Sequence, residues 1–347
     1  MVTNTDQDII REFADRGALL LLESPVNMRE FIRLLSGDLA DHLDFMRAER
    51  INRSLVPADL HKLEADLIYR VPFQAEGRDV LVYLLLEHQS KVDRFIGQRL
   101  HSYMGELWEA QRRAWKDNRT PQRERWLSPI VPIVFYTGKK QWKHPLTLDA
   151  AMDLPIELSG FVPRHETLCL NLPGMPSDAL SGSAIALVLR VIQAEDIPPE
   201  EFAPLFTSVV ASLETLPPEQ QAEWQRALFY LVLLIQHRRS AQEYDKLISI
   251  VQESVSRQHQ EEVAHMVYSA AQAFRAEGRL KGREEGLEEG LEKGRAETLL
   301  EQLDYRFGPL PAQVASAIRA LPPKRLQEIT RQILLVQSLD ELHLSLP

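Results

Sequence analysis

Cysteine is almost missing from this chain. Cys169 stands alone in 347 residues, which excludes an internal disulfide and leaves no thiolate cluster for zinc, as suits a reducing cytoplasm. Long apolar runs are missing too. None approaches the roughly 20 residues that a membrane span needs, and the N-terminal MVTNTDQDIIREF is polar and acidic, unlike a signal peptide. A soluble, cytoplasmic protein without a membrane partner is therefore expected. Positive charge is also in deficit: a net charge of −10 excludes a surface coated in phosphate contacts, although not a local basic stripe.

What is present is enough for a real core, with 44% hydrophobic residues in a length that accommodates two domains. The most informative stretch is Asp66 to Tyr103, DLIYRVPFQAEGRDVLVYLLLEHQSKVDRFIGQRLHSY. It opens with an apolar run over Asp66 to Val71 that reads as a strand stopped by Pro72. After a turn signal containing Gly77 comes Asp79 to Gln89, too apolar for a surface strand and so buried on both faces. Glu87 and Gln89, with Lys91 beyond, share one face at its end, and His88 takes the other. An antiparallel hairpin turning between Glu76 and Gly77 pairs residues whose numbers sum to 153, so Asp66 faces Glu87. Two opposed carboxylates repel unless a proton or a cation lies between them, and a hard divalent ion with oxygen ligands is the natural partner.

Asp66, then Glu87-His88-Gln89 on an apolar strand followed by an amphipathic helix, resembles the PD-(D/E)XK nuclease core, with Gln in place of the usual Lys. ADLIYRV, YLLLEHQS, Arg99-Leu100, Tyr103 and the run Pro129 to Gly138 (PIVPIVFYTG) together resemble the Rpn family of recombination-promoting nucleases, also labelled transposases. The resemblance covers roughly residues 10 to 175. It implies a mixed α/β fold with a restriction-endonuclease-like core and a metal-dependent endonuclease acting on DNA in recombination or mobile elements. Asp66, Glu87 and Gln89 would be catalytic, and Asp66, Glu87 and the backbone carbonyl of His88 would hold Mg²⁺, with Mn²⁺ as a substitute. Lys91, Arg99, Tyr103, Arg112, Arg113 and Lys116 are candidate phosphate contacts. Pairing of Glu87 with Arg70 or Arg99 in a purely structural site is the plainer alternative. It goes with a catalytically inactive, nuclease-fold binding or assembly protein.

Elsewhere, residues 6 to 22 read as a helix. Ser24-Pro25 starts a second one that Gly37 closes, with the acid Glu23 between them. Asp44 to Val56 reads as a first strand with its flanks, Val92 to Trp115 as a helix packing Phe95 and Leu100 on the sheet, Ile130 to Tyr136 as a strand, and Glu166 to Leu172 as the last one. Between Arg112 and Arg125 six basic residues are offset by Asp117 and Glu124, with Trp115 inside and Trp126 just after. This stretch is either a phosphate-contacting surface or a solvated helix end.

From residue 184 the chain reads as helical, with one helix over Gln242 to Val267. Glycines 278, 282, 286, 290 and 294 then recur every four residues, giving a weak helix that serves as a solvated tether or a self-association stripe. LLEQLDYRFGPLP and the terminal SLDEL resemble a small helical module of unknown function. The expected divisions are 1–175 for the nuclease-like core, 176–275 for a helical extension, 276–295 for the repeat, and 296–347 for the module. DNA is the expected partner, with homo-oligomers forming through the repeat.

Overall fold

A computed structural model describes residues 17–51, 67–75, 78–333 and 339–342. Its centre is a five-stranded sheet. β1 (Glu49–Arg50), β2 (Leu67–Ala75), β3 (Arg78–Gln89), β4 (Ile130–Tyr136) and β5 (Leu168–Asn171) lie side by side in chain order. The first three strands are antiparallel, and β3, β4 and β5 run parallel. A parallel pair needs a crossover connection, and the helix between β3 and β4 supplies it.

Every described pair of the β2–β3 hairpin sums to 153, from Leu67 opposite Leu86 to Ala75 opposite Arg78, as the apolar pattern predicts. β2 does not stop at Pro72 but runs on to Ala75. The Pro72 carbonyl accepts from the Asp44 N–H at 2.9 Å, so the backbone of Pro72 turns away from β3, to the side where β1 is only two residues long. No ladder donor is needed there. Pro132 obeys the same rule on β4. The Thr137 N–H reaches back to the Gln89 carbonyl at 3.0 Å, so even-numbered residues of β4 turn their backbone toward β5, whose pairing begins only at Ile133.

Helices cover both faces of the sheet. α1 (Pro25–Leu35) is capped by Ser24 with Pro25 in the first turn, as expected. Gly37 does not close α1 but opens α2 (Gly37–His42), because Ser36 ends one helix and caps the next. Phe31 of α1 meets Phe135 of β4 edge-on, with ring centroids 5.2 Å apart. On the opposite face, α3 (Ile96–Asp117) lays Ile96, Leu100, Met104 and Leu107 against Tyr83, Ile130 and Val134. Phe95, expected in that core, is exposed instead, because the helix starts one residue after it.

The remainder is helical: α4 (Ala184–Gln193), α5 (Pro199–Leu213), α6 (Gln221–Arg238), α7 (Ala241–Ser254), α8 (Gln260–Phe307), α9 (Ala312–Arg319) and α10 (Pro323–Gln332). α4 is apolar but for Arg190 and Gln193, and its other eight residues are buried. The helix expected over 242–267 is broken between α7 and α8. Glu214 accepts the Ser256 N–H there at 3.0 Å, and the His259 N–H bonds to the Ser256 carbonyl at 2.9 Å. The glycine repeat lies wholly inside α8, and a side chain added at Gly282, Gly286, Gly290 or Gly294 would meet open space.

The chain divides into two compact units, Met1–Ala271 and Gln272–Pro347, with the boundary inside α8. The second unit has its own core, in which Leu299 and Leu303 of α8 meet Ile318, Leu326 and Ile329. Among the described residues no helix is long and apolar enough to cross a membrane.

Candidate active site

The end of β3 gathers four of the polar residues singled out by the sequence, Glu87, Gln89, Arg99 and Tyr103. Glu87 is only 2% exposed. Gln89, two residues on and therefore on the same face, donates its amide to Glu87 Oε1 at 3.1 Å. The short link after β3 folds α3 back over the strand that precedes it. Arg99, in the first turns of that helix, donates to the same Glu87 oxygen in a short ion pair and to Asp93 Oδ2 at 2.9 Å. Tyr103, one turn further, brings its hydroxyl within 3.5 Å of the guanidinium.

Asp93 escaped notice in the sequence, although an acid just before a helix is a usual starting signal. Its carboxylate accepts both the Phe95 N–H, at 2.8 Å, and Arg99, so it aims the arginine. Burial alone would pull the Arg99 pKa down. The hydrogen bonds that it donates to Tyr103 and Asp93 and the charge of Glu87 outweigh it and hold the pKa above the ordinary arginine value. A permanent cation thus sits on a buried carboxylate.

His88 takes the opposite face, as alternation demands. Its Nε2 lies 2.8 Å from Thr137 Oγ1 and its ring 5.1 Å from that of Phe135. Burial pushes its pKa down to about 4, so the ring is neutral at neutral pH. The Gln89 carbonyl is taken by Thr137, so that of His88, pointing the other way, faces the β2 side of the strand. The pair continuing the β2–β3 register would be Asp66 and Glu87, and Asp66 lies outside the described residues. Among the described residues no group of three His, Cys, Asp or Glu side chains is placed to hold a metal ion. The oxygen donors of Glu87 and the His88 carbonyl are of the kind a hard cation takes.

Across the sheet from Glu87, Val134 and then Cys169 occupy the same row. Burial pushes the Cys169 thiol up to about 11. Glu23 is not part of this cluster. It pairs with Arg50 at 2.6 Å, and Arg50 lies beside Tyr69, on the sheet face opposite Glu87. Arg70 pairs with Glu49 rather than Glu87.

The other phosphate-contact candidates are elsewhere. Lys91 is exposed beyond the strand end. Arg112 and Arg113 share Glu109 at 2.9 and 3.8 Å, and Lys116 is exposed near the end of α3. Arg112 is about 20 Å along the helix from Arg99, at 1.5 Å per residue. These three belong to a separate surface.

Comparison with known proteins adds an independent finding. A model of the family described as putative transposase, YhgA-like, matches residues 18–223. The recombination-promoting nuclease RpnD of Escherichia coli O157:H7 is 30% identical over 120 residues, 34% of this chain and 43% of that protein. The chain therefore spans less than half the length of this curated relative. No solved structure matches.

Proposed function

Because the chain belongs to the YhgA-like putative transposase family, we propose that it is a nuclease that hydrolyses DNA phosphodiester bonds at the Glu87 end of β3, in the service of recombination. A relative named as a recombination-promoting nuclease supports this reading. So does the sheet, whose central antiparallel hairpin and parallel β4 suit a PD-(D/E)XK-like core. The observation that carries the reading is a carboxylate 2% exposed at the end of a central strand, with an amide and a guanidinium gathered on it.

In this reading Asp66, Glu87 and the His88 carbonyl would hold Mg²⁺ or Mn²⁺, which would supply Lewis-acid activation of water and offset charge that builds on the phosphate. Gln89 orients the attacking water through its amide. It cannot supply the positive charge of a lysine, and Arg99, held protonated beside Glu87, supplies that charge instead. Tyr103 steadies Arg99.

The same ion pair favours a second reading. Arg99 already neutralises Glu87, as it would in a silent binding or assembly protein that keeps the fold without the chemistry. Cleavage of supercoiled plasmid separates the two. The wild type is expected to nick or linearise it in Mg²⁺ or Mn²⁺ and not in EDTA, and Glu87→Gln is expected to lose about a hundredfold or more. A wild type inert in both ions, or a variant equally active, would remove the nuclease reading and leave the binding one.

A further inference from the structure

A second surface lies at the far end of α3. Two residues past the end of α3 stands Arg119, whose backbone adopts φ 51°. Its N–H donates to the Lys116 carbonyl at 3.3 Å, and the N–H of Thr120 to the Trp115 carbonyl at 2.9 Å. These are the two bonds of a helix-closing turn in which glycine is the residue without steric strain. An arginine stands there instead, with its side chain exposed.

The loop that follows is ordered. The Ser128 N–H donates to Gln111 Oε1 at 2.9 Å, and Trp108 Nε1 donates to the Ser128 carbonyl at 3.0 Å, so the end of the loop is tied to α3. Arg125 Nε donates to the Thr120 carbonyl at 2.9 Å and fixes the middle. On this frame Trp126 is 81% exposed. Its ring is held at a set angle by the indole N–H, which donates to the Arg123 carbonyl at 3.1 Å. Exposed Arg123 and Arg125 precede it in the loop, Arg123 pairing with Glu124 at 3.4 Å, and exposed Lys116 and Arg119 lie at the end of α3, in a chain whose net charge is −10.

We propose that Trp126, with Arg119, Arg123 and Arg125, docks single-stranded DNA, one base stacking on the indole and flanking phosphates meeting the arginines. A bare indole face fits an unpaired base, and paired bases are already stacked on one another. The cationic rim fits phosphate. The proposal rests on the nuclease reading for its choice of DNA. Lys116 lies about 25 Å along α3 from Arg99, so the surface holds strand that flanks the bond to be cut, several nucleotides away.

Binding measured without cleavage tests the docking site alone. Fluorescence anisotropy in EDTA, with the full chain, would compare a labelled oligothymidylate of about 20 nucleotides, longer than the roughly 4–16 nucleotides that comparable single-strand sites cover, with a duplex of equal length and an oligouridylate. The oligothymidylate is expected to bind most tightly, about tenfold better than the duplex. Trp126→Ala should lose about tenfold and Trp126→Phe most of that loss regained. The double variant Arg123→Ala/Arg125→Ala should lower the slope of log affinity against log salt by about 1.4. Duplex bound as well as single strand, a tighter oligouridylate, or an unaffected Trp126→Ala with unchanged circular dichroism would each overturn the site. The two readings fail separately. Trp126-dependent binding beside an uncut plasmid removes only the nuclease, and cleavage without such binding removes only the docking site.

Discussion

α3 carries arginines at both ends, and the protein treats them in opposite ways. Near its start Arg99, 37% exposed, is held by Glu87, Asp93 and Tyr103. Past its end Arg119, Arg123 and Arg125 lie on an exposed loop around an exposed indole. The difference teaches that the burial of the neighbouring group, not the number of basic residues, decides whether an arginine serves the fold or a ligand. A carboxylate out of water needs a cation, a proton or hydrogen-bond donors to hold its charge. An arginine on a solvated turn has no such obligation.

The largest effect expected from breaking this contrast is at Arg99. Arg99→Ala leaves Glu87 buried without its guanidinium and should cost about 3 kcal/mol in urea unfolding. If Asp66 and Glu87 hold a divalent ion, adding Mg²⁺ should restore stability to the variant more than to the wild type. Equal responses would assign Glu87 to Arg99 alone. Trp126→Ala, at the other end, is expected within about 0.5 kcal/mol of wild type.

The Glu87 end should also respond to acid. His88 has a folded pKa of about 4, below its unfolded value of about 6.5, so the unfolded chain takes up the proton first as pH falls. The contribution is fully present above about pH 6.5 and is lost as pH falls through 4, on the order of 3 kcal/mol. Urea unfolding across that window should show the slope, and His88→Gln should flatten it. No histidine lies between residues 109 and 128, so the basic end offers no counterpart.

The smallest effect has the most telling sign. Arg119→Gly relieves a left-handed arginine and should stabilise the first unit by about 1 kcal/mol, read as a rise in its melting temperature. The same change should weaken binding of single-stranded DNA. A residue whose removal helps the fold and harms the ligand has its reason outside the fold.

Much of the β3 end was legible in the sequence, because few residue types tolerate such a place. The apolar run of Val80 to Leu86 reads as a buried strand, alternation then puts Glu87 and Gln89 on one face, and the apolar pattern of the two runs sets the register. What the sequence left open depended on neighbours distant in the chain. Pro72 looks like a strand end until the shortness of β1 is known, and the break before α8 depends on Glu214, some 40 residues earlier. Arg99 had two roles open, and only the geometry joins it to Glu87. Trp126 beside basic residues was visible, but its exposure was not.

Cys169 shares a row of the sheet with Glu87, and with a pKa near 11 roughly one thiol in ten thousand is ionised at neutral pH. Since only the thiolate attacks an electrophile, the native chain is nearly deaf to alkylating reagents. It gains its hearing when β5 parts from β4 and burial no longer holds the thiol protonated. The sole cysteine of the chain is thus a chemical clock for the opening of the sheet that carries the candidate site.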